Sequence, residues 1–269
     1  MKSLSEQYKF KEGQDLEDFN PNDTSAFPID RNAAEEHLFM MRAEFDDLQE
    51  LLYAQKKYRI LVMLQGTDGS GKDSLIRAIF KGVNPNGCRV INFKSPSEEE
   101  LSHNYMWRIF KKLPAKGEIV IHNRTIYEDI IYPSVHNSID KKIWEKRYEH
   151  INAFEKLLTD EGTIVLKFFL NISKKEQKRR LLARLNNPEK EWKVSKGDIL
   201  ERKYWDDYQK TYTNIFKQTS TTYVPWYIVG SNHKWHRNLI VMSILLNTLK
   251  NLNIEYPKLN SEVKKLKLI

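Results

Sequence analysis

The chain has 269 residues, of which 40% are hydrophobic and 30% charged, and its formal net charge is +8. This fits one large α/β domain with some appended helix, and no apolar stretch reaches the length of a membrane-spanning helix. The single cysteine, Cys88, excludes an intrachain disulfide and a cysteine-based metal cage. Together with an N-terminus that lacks the apolar region of a secretory signal, it favours a cytoplasmic protein. The positive charge indicates a polyanionic partner: nucleic acid, an anionic membrane or a small polyanion.

Residues 1–30 contain Pro and Gly but little periodicity, which predicts an extended N-terminal arm. Residues 31–57 follow a helical pattern with one apolar stripe, which packs against the rest of the fold or contacts another subunit. Strand segments are then predicted near 58–65, 88–93, 118–123, 163–170 and 223–229, and helices near 72–82, 98–112, 139–160, 173–185, 195–217 and 234–250. Residues 251–269 form a C-terminal tail that is expected to be mobile from Pro257 on, including Lys264, Lys265 and Lys267.

Strands separated by helices predict parallel βαβ units, and therefore a sheet covered by helices on both faces. Near-continuous apolar runs such as 164–166 and 168–170 suit strands that are buried on both faces. Capping boxes at Ser97 and Ser173 predict two helix starts. In such a sheet, ligands bind beyond the carboxyl ends of the strands. We therefore expect a single domain over residues 31–250 with its site at that edge.

The most informative segment is residues 66–73, Gly-Thr-Asp-Gly-Ser-Gly-Lys-Asp, which lies between an apolar strand segment and a helical pattern. This order is that of a phosphate-binding P-loop. There the N–H groups of the loop and the positive end of the helix dipole face phosphate oxygens, and Lys72 adds a charge. The segment predicts a protein that handles a chain of phosphates. The predicted phosphate ligands of this loop are Gly66, Gly69, Ser70, Gly71, Lys72 and Asp73.

Two acidic residues set this loop apart. Asp73 occupies the position at which a P-loop usually carries the Ser or Thr that holds Mg²⁺, and Asp68 lies within the loop. Because carboxylates repel phosphate unless a cation lies between them, Asp68 is predicted to hold Mg²⁺ directly or through water. Asp73 either contributes to the same site or stabilises the helix start as an anion.

A second polar segment follows the third predicted strand. Asn123 stands where a strand-end carboxylate is expected, and Glu128 and Asp129 follow about one turn later. Asp129 is predicted to supply the missing charge, whereas Glu128 either does the same or is a solvated acid. Arg124 is predicted to reach a phosphate with both of its terminal nitrogens.

The third segment is the helix predicted over 173–185 and the basic loop after it. Arg180 and Arg184 are four residues apart and share a helix face, and Lys193 follows in the loop. A lid that closes over phosphates needs such an arginine-bearing helix and a flexible basic loop. We predict a lid over about 173–200, in which Arg180, Arg184 and Lys193 bind phosphate. For each residue alone, the alternative is a solvated basic surface.

Together these segments resemble the polyphosphate kinase 2 family over most of residues 31–240. The resemblance is carried by residues 66–73, 103–108 (His-Asn-Tyr-Met-Trp-Arg), 123–129, 167–177 and 205–208 (Trp-Asp-Asp-Tyr). It implies an α/β, three-layer α/β/α P-loop kinase fold with a central parallel five-stranded sheet, similar to thymidylate kinase, and a helical lid. It also implies a homodimer or a homotetramer.

The resemblance further implies reversible, Mg²⁺-dependent transfer of a phosphoryl group from inorganic polyphosphate to AMP or ADP. In this family the aspartates matching Asp68 and Asp129 are taken to position Mg²⁺, and Lys72 and Arg124 to hold phosphates, so these four are the expected catalytic residues. The sequence of residues 123–129 is similar to the subgroup that accepts both AMP and ADP. Adenine nucleotides are the expected acceptors, and guanine nucleotides stay open. The expected nucleotide-binding residues are Asn123, Glu128, Tyr127, Trp107 and Arg108.

Two other functions stay open on the sequence. An ATP-dependent nucleotide or nucleoside kinase would use the same scaffold. A basic nucleic-acid-binding protein would account for the charge, but it would leave residues 66–73 unexplained. The expected partners are therefore polyphosphate and nucleotides, rather than nucleic acid or a membrane.

Overall fold

The computed structural model describes residues 4–261 and 263. One parallel sheet has the strand order β2-β3-β1-β4-β5. The strands are β1 (Arg59–Gln65), β2 (Cys88–Asn92), β3 (Ile119–Asn123), β4 (Thr163–Asn171) and β5 (Trp226–Gly230). The helices are α1 (Leu4–Tyr8), α2 (Arg31–Gln55), α3 (Lys72–Ile79), α4 (Glu98–Ser102), α5 (Trp107–Phe110), α6 (Glu128–His136), α7 (Lys141–Asp160), α8 (Lys174–Leu185), α9 (Lys196–Leu200), α10 (Trp205–Thr219) and α11 (Lys234–Lys250).

The sheet is buried on both faces because β1 alternates its side chains between two apolar clusters. Ile60, Val62 and Leu64 pack with residues of α2, α3 and α11 on one face. Leu61 and Met63 pack with residues of α6, α7 and α10 on the other. Each such fully buried side chain contributes about 1.5–3 kcal/mol. The predicted three-layer α/β/α fold with a parallel five-stranded sheet is confirmed, and it fixes the loop after β1 at the carboxyl edge of the central strand.

The predicted helices lie at the right positions in the chain, but two that were predicted as continuous are each divided into shorter helices. The helix predicted over 98–112 is divided into α4 and α5. The helix predicted over 195–217 is divided into α9, a 3-10 turn (Glu201–Tyr204) and α10. The helix α6 has no counterpart among the predicted elements, and Pro133 inside it obscures the helical pattern. This matters for the site, because α6 begins at Glu128.

The two predicted capping boxes have different outcomes. Ser97 and Glu100 form the reciprocal pair of hydrogen bonds at the start of α4. Ser173 accepts from the N–H of Glu176 at the start of α8, as predicted. The carboxylate of Glu176 instead pairs with Arg179 and Arg180. The box prediction was therefore wrong for the Glu176 side chain, because two guanidinium groups on the next turn attract it more strongly than one N–H group.

The described part of the predicted N-terminal arm lies against the sheet edge and includes the short helix α1. Lys9 forms an antiparallel bridge with Tyr227 of β5, and Phe10 N–H donates to the Trp226 carbonyl at 2.8 Å. Phe10 and Leu16 are buried. In the C-terminal tail, Lys264, Lys265 and Lys267 lie outside the described residues. None of the helices in residues 4–261 and 263 combines the length and hydrophobicity needed to cross a membrane.

Candidate active site

The loop between β1 and α3 is curled, as the sequence predicts for a P-loop. Gly71, the residue before α3, has a φ angle of +98°. This backbone angle favours glycine, and a Cβ atom there would also lie 2.5 Å from Nη1 of Arg237, which would have to move. The amine of Lys72 folds back over the loop and donates to the Gly66 carbonyl at 2.6 Å. Burial lowers the pKa of Lys72, and the neighbouring Asp68 opposes that shift.

Two arginines from other helices donate hydrogen bonds to the backbone carbonyls of this loop. Arg180 of α8 uses all five of its N–H groups on protein acceptors. These acceptors are Glu176 Oε1 (2.8 Å) and the carbonyls of Gly69 (3.0 Å), Ser70 (3.0 Å), Ser231 (2.5 Å) and Asn232 (3.1 Å). No N–H group of Arg180 is left for a phosphate. The structure therefore corrects its predicted place: it anchors the loop to α8.

Arg237 of α11 is fully buried and was not predicted as a site residue. Its Nη1 donates to the carbonyls of Ser70 at 3.3 Å and Gly71 at 3.2 Å. Burial and the neighbouring Arg180 lower the pKa of Arg237 to about 9. The sequence around Arg237 has an ordinary helical pattern. Its contact with the loop could not be predicted, because α11 and the loop are far apart in sequence and meet only in the folded chain.

A cavity of about 730 Å³ opens over the loop, and we call it the loop cavity. Its walls carry ten Lys or Arg side chains and three Asp side chains, so it attracts an extended polyanion. The predicted site residues on its walls are Asp68, Gly69, Gly71, Lys72, Asp73, Asn123, Arg124, Arg180, Arg184 and Lys193. Ser70 is fully buried and does not line this cavity, and Gly66 lines the adjoining cavity described below instead. The wall also contains Arg77, Lys94, Arg179, Lys190 and Lys234, which the sequence did not assign to the phosphate site.

Arg124 is held in a strained position between β3 and α6. Its φ angle is +62°, in the left-handed region that residues other than glycine rarely adopt. Its N–H donates to the Leu64 carbonyl at 3.1 Å, and its guanidinium Nη2 donates to Asp68 Oδ1 at 2.8 Å. These contacts hold the Arg124 side chain beside Asp68 on the wall of the loop cavity.

A second cavity, of about 350 Å³, adjoins the first, and we call it the aromatic cavity. Four aromatic side chains line it: Tyr132, Trp205, Tyr208 and Tyr212. Glu128 also lies on its wall, where Oε1 accepts from Gln65 Nε2 at 2.7 Å. The two cavities share Asp68, Arg124, Ser195 and Asp198. A group bound in one cavity therefore meets a group bound in the other at these residues.

Asp198, in the first turn of α9, lines both cavities but was not among the site residues predicted from the sequence. Its carboxyl lies beside that of Asp68, close enough for each to affect the pKa of the other. Burial and the charge of Asp68 raise the pKa of Asp198. Burial also acts to raise the pKa of Asp68, but Lys72 and Arg124 hold it below its usual range. Ser195 and Asp198 form a capping box that could have revealed this helix start.

Asp129 lies outside the linings of both cavities. Its Oδ2 is 3.7 Å from Arg108 Nη2, and its Oδ1 is 4.0 Å from Arg147 Nη1. Burial raises the pKa of Asp129 to about 6, although both arginines act in the opposite direction. The structure thus places Asp129 among arginines and shows no contact between it and Asp68.

Comparison with known proteins decides the family. A model of the family described as polyphosphate kinase 2 matches residues 28–257. The chain belongs to the polyphosphate kinase 2 family. It is 48% identical over 244 residues to the AMP/ADP-polyphosphate phosphotransferase of Meiothermus ruber, with 91% of each chain covered. It is 37% identical over 273 residues to the ADP-polyphosphate phosphotransferase of Rhodopseudomonas palustris, covering 96% of this chain and 94% of that one.

The fold agrees with a solved member of the polyphosphate kinase 2 family. The crystal structure of polyphosphate kinase 2 from Arthrobacter aurescens superposes with a TM-score of 0.94 at 38% identity. The match covers 98% of this chain and 95% of that one. The predicted family is therefore confirmed, and so is the predicted fold.

Three residues of this polyphosphate kinase 2 chain lie elsewhere than the sequence suggested. Tyr127 was predicted to contact a nucleotide, but its side chain is fully buried and its hydroxyl donates to Glu155 at 2.7 Å. Trp107 stacks between His103 and Lys111, away from both cavities. Arg108 is buried and donates to the Lys94 carbonyl at 2.9 Å. None of these three side chains lines either cavity.

Proposed function

We propose that this chain transfers the terminal phosphoryl group of inorganic polyphosphate to AMP and ADP, which gives ADP and ATP. One observation carries the proposal: a strongly basic cavity over a P-loop adjoins an aromatic cavity at Asp68 and Arg124. A basic wall suits a linear polyanion, and an aromatic wall suits a nucleobase. The names of the Meiothermus and Rhodopseudomonas relatives support both substrates.

The donor would lie in the loop cavity. Lys72 and the loop N–H groups would hold the phosphates nearest the point of transfer, as in other P-loop kinases. Arg184 and Lys193 line the outer part of the same cavity and would hold phosphates farther along the chain. Since Arg180 and Arg237 are occupied by loop carbonyls, their part is to keep the loop curled when the polyanion arrives or leaves.

The acceptor would lie in the aromatic cavity, with its base against Tyr132, Trp205 or Tyr208. Its phosphate would then point toward Asp68 and Arg124, where the two cavities meet. Glu128 lies on this wall and Asn123 on the wall of the loop cavity. The presence of both supports acceptance of AMP as well as ADP, as in the subgroup that the sequence resembles. Guanine nucleotides are a second class of acceptor to be tested.

The residues present fit Mg²⁺. A facing pair of carboxyls, Asp68 and Asp198, repels itself unless a proton or a cation lies between them. In the part of the chain that the structure describes, no cluster of three or more His, Cys, Asp or Glu side chains could hold a metal ion. Mg²⁺ in kinases usually takes one or two carboxylates and completes its shell with water and phosphate oxygens. Asp68 would hold it, and the predicted role of Asp129 stays a prediction.

When bound, Mg²⁺ would neutralise part of the charge on the transferring phosphates. The chain's own residues would supply position. Lys72 and Arg124 would hold donor and acceptor in line, and the acceptor phosphate is already an anion, so no strong general base is needed. Closure of the segment 173–200 would exclude water, since it carries Arg184, Lys193 and Asp198 on the cavity walls.

The remaining expectations stay predictions and belong to this proposal. We propose a kinase domain over residues 31–250, with the lid at about 173–200, an N-terminal arm over 1–30 and a tail over 251–269. We also propose a cytoplasmic enzyme that assembles as a homodimer or homotetramer.

The test supplies polyphosphate as the sole phosphoryl donor, without ATP, to AMP, ADP, GMP and GDP, with and without Mg²⁺. Formation of ATP from ADP and of ADP from AMP, lost in Lys72→Ala, is the expected result. Phosphorylation that requires ATP as donor would instead identify an ATP-dependent nucleotide kinase. The proposal would be overturned if neither polyphosphate nor ATP served as a phosphoryl donor and the protein instead bound nucleic acid in a salt-sensitive way that survives Lys72→Ala.

A further inference from the structure

A fully buried cation lies directly beneath the phosphate loop. Every group that accepts a hydrogen bond from Arg237 of α11 is neutral. These acceptors are the carbonyls of Ser70 and Gly71, the hydroxyls of Ser74 and Ser231, and the amide oxygen of Asn238. Within residues 4–261 and 263, no ion pair with an Asp or a Glu includes Arg237, whereas Arg180 pairs with Glu176 at 2.8 Å. The described part of the chain therefore offers the charge of Arg237 no counter-ion.

The hydrogen bonds that Arg237 makes to the loop are duplicated by other donors. Each of the two loop carbonyls that it contacts has two further donors. At Ser70 these are Ser231 Oγ at 2.6 Å and Arg180 Nη1 at 3.0 Å. At Gly71 these are the N–H of Leu75 at 3.0 Å and Ser74 Oγ at 2.9 Å. A carbonyl oxygen has two lone pairs, so both carbonyls are satisfied without Arg237. Hydrogen bonding alone therefore does not account for a buried guanidinium at this place.

The charges around Arg237 increase this imbalance. Lys234, in the first turn of the same helix, lines the loop cavity. Burial and the positive charges of Arg180, Arg237 and Arg184 lower the pKa of Lys234 to about 8, and Glu176 is the carboxylate that opposes this shift. Four cations thus face one anion beside and beneath the loop. Because a buried charge without a counter-charge is costly, a bound anion would relieve this part of the protein.

Only one layer of backbone separates Arg237 from the loop cavity. Gly71 accepts from Arg237 through its carbonyl and lines that cavity, as Lys72 does. A trans peptide points its C=O and its N–H in opposite directions, so the N–H of Lys72 points away from Arg237. Lys72 is the first residue of α3, and its N–H therefore has no partner within the helix. A phosphate oxygen bound to that N–H would lie about 8 Å from the guanidinium.

We propose that the phosphate held by the loop is the counter-ion of Arg237, so that this buried charge strengthens donor binding through the loop peptides and destabilises the empty protein. The inference rests on the proposed function for the identity of the anion as polyphosphate. Two unit charges about 8 Å apart, at an effective dielectric constant of about 20, change the affinity for the anion by about tenfold or more. Arg237 contributes this without touching the substrate.

A simpler explanation is that Arg237 only holds the loop in shape. Removal of Arg237 would then lower the stability of the empty protein and its affinity for phosphate together. The proposed role predicts opposite directions. Without Arg237 the empty protein loses an uncompensated buried charge, so its stability stays the same or rises, while its affinity for phosphate falls.

The experiment compares wild type, Arg237→Met and Arg237→Gln. Met removes the charge and the donors, whereas Gln removes the charge and keeps an NH₂ donor. Inorganic tripolyphosphate is the probe, titrated by calorimetry without nucleotide or Mg²⁺, and thermal unfolding without ligand measures the empty protein. Both variants should bind tripolyphosphate about tenfold more weakly, with a ligand-free melting temperature equal to or above that of wild type. In activity assays the KM for polyphosphate should rise while the KM for ADP stays the same.

The matched control is Arg42→Met, which removes one positive charge on α2, outside the loop cavity, where Arg42 donates to the Leu38 carbonyl at 3.3 Å. Its affinity for tripolyphosphate should equal that of wild type, and an equal loss in this control would overturn the inference.

The inference would also be overturned by a wild type that does not bind tripolyphosphate, by unchanged affinity in folded Arg237→Met, or by full affinity in Arg237→Gln. Failure of both Arg237 variants to fold would show that the empty protein needs Arg237, and would overturn it as well. If polyphosphate were not the donor, the tripolyphosphate titration would still test the charge. If wild type uses polyphosphate and Arg237→Met binds tripolyphosphate equally well, this inference alone fails.

Discussion

A fully buried ion pair beneath the site gives the most demanding prediction. Lys167 of β4 and Glu155 of α7 are both completely buried, and Lys167 Nζ lies 2.7 Å from Glu155 Oε2. Lys167 also donates to the Tyr127 hydroxyl at 3.0 Å and to the Thr219 carbonyl at 2.7 Å, so all three of its hydrogens are used. Tyr127 precedes Glu128, the first residue of α6. Because both members of the pair hydrogen-bond the Tyr127 hydroxyl, they hold in place the start of α6, which carries Glu128 and Asp129.

The substitution Lys167→Met leaves Glu155 buried without its partner. Breaking a buried pair from one side costs about 3–5 kcal/mol, which for a chain of this size lowers the melting temperature by about 10 °C. Burial already raises the pKa of Glu155, and the loss of Lys167 removes the interaction that opposes this shift. A carboxyl whose folded pKa exceeds its unfolded value stabilises the fold at low pH and loses that contribution as pH rises through the folded pKa. The deficit should therefore be larger at pH 8 than at pH 5.

Thermal and urea unfolding at pH 5 and pH 8 measure this prediction. Lys167→Met/Glu155→Leu removes both charges and should recover most of the stability, since apolar replacements of a buried pair are often neutral or stabilising. Lys156→Met removes one partner of an exposed pair on α7, Lys156 and Asp160, and should cost less than about 1 kcal/mol. A deficit in Lys167→Met that is absent, or is the same at both pH values, would refute the reasoning.

Three further predictions concern activity. Lys72→Ala should lower turnover by about 100-fold or more while the protein stays folded, measured with polyphosphate and ADP, and a near-normal rate would remove Lys72 from the phosphate site. Asp129→Asn should lower turnover by orders of magnitude. Because burial raises the pKa of Asp129 to about 6, the wild-type rate should fall as pH drops through about 6, and a flat initial-rate profile between pH 5 and 7 would argue against an ionised Asp129. Arg184→Glu should raise the KM for long-chain polyphosphate more than the KM for ADP, and equal effects would contradict its place along the donor.

Much of the site could be predicted locally, because a P-loop is a contiguous segment. Residues 66–73 specify a strand end, a loop with positive φ angles and a helix start, and the structure has all three. The strand predictions depended in the same way on continuous apolar runs. The helix α6 escaped prediction because its pattern is short and contains Pro133.

Side-chain partners between distant segments could not be predicted. The resemblance to the polyphosphate kinase 2 family makes Tyr127 an expected site residue, yet its hydroxyl bonds to Glu155 of another helix. Arg180 reads as a phosphate ligand because it lies on a basic helix, yet loop carbonyls take its N–H groups. In both cases the nearest partner in space is far away in sequence.

The amino-acid sequence by itself determined the family, the parallel α/β architecture and the place of the phosphate loop, since each depends on short-range patterns of apolar, glycine and charged residues. The tertiary structure decided which side chains face the cavities. It places Asp198 beside Asp68 and Asn123 beside Asp73. It also pairs the buried side chains of Arg180 and Tyr127 with other groups of the protein. The physical reason is that hydrogen bonds and burial depend on three-dimensional proximity, which the order of residues along the chain does not contain.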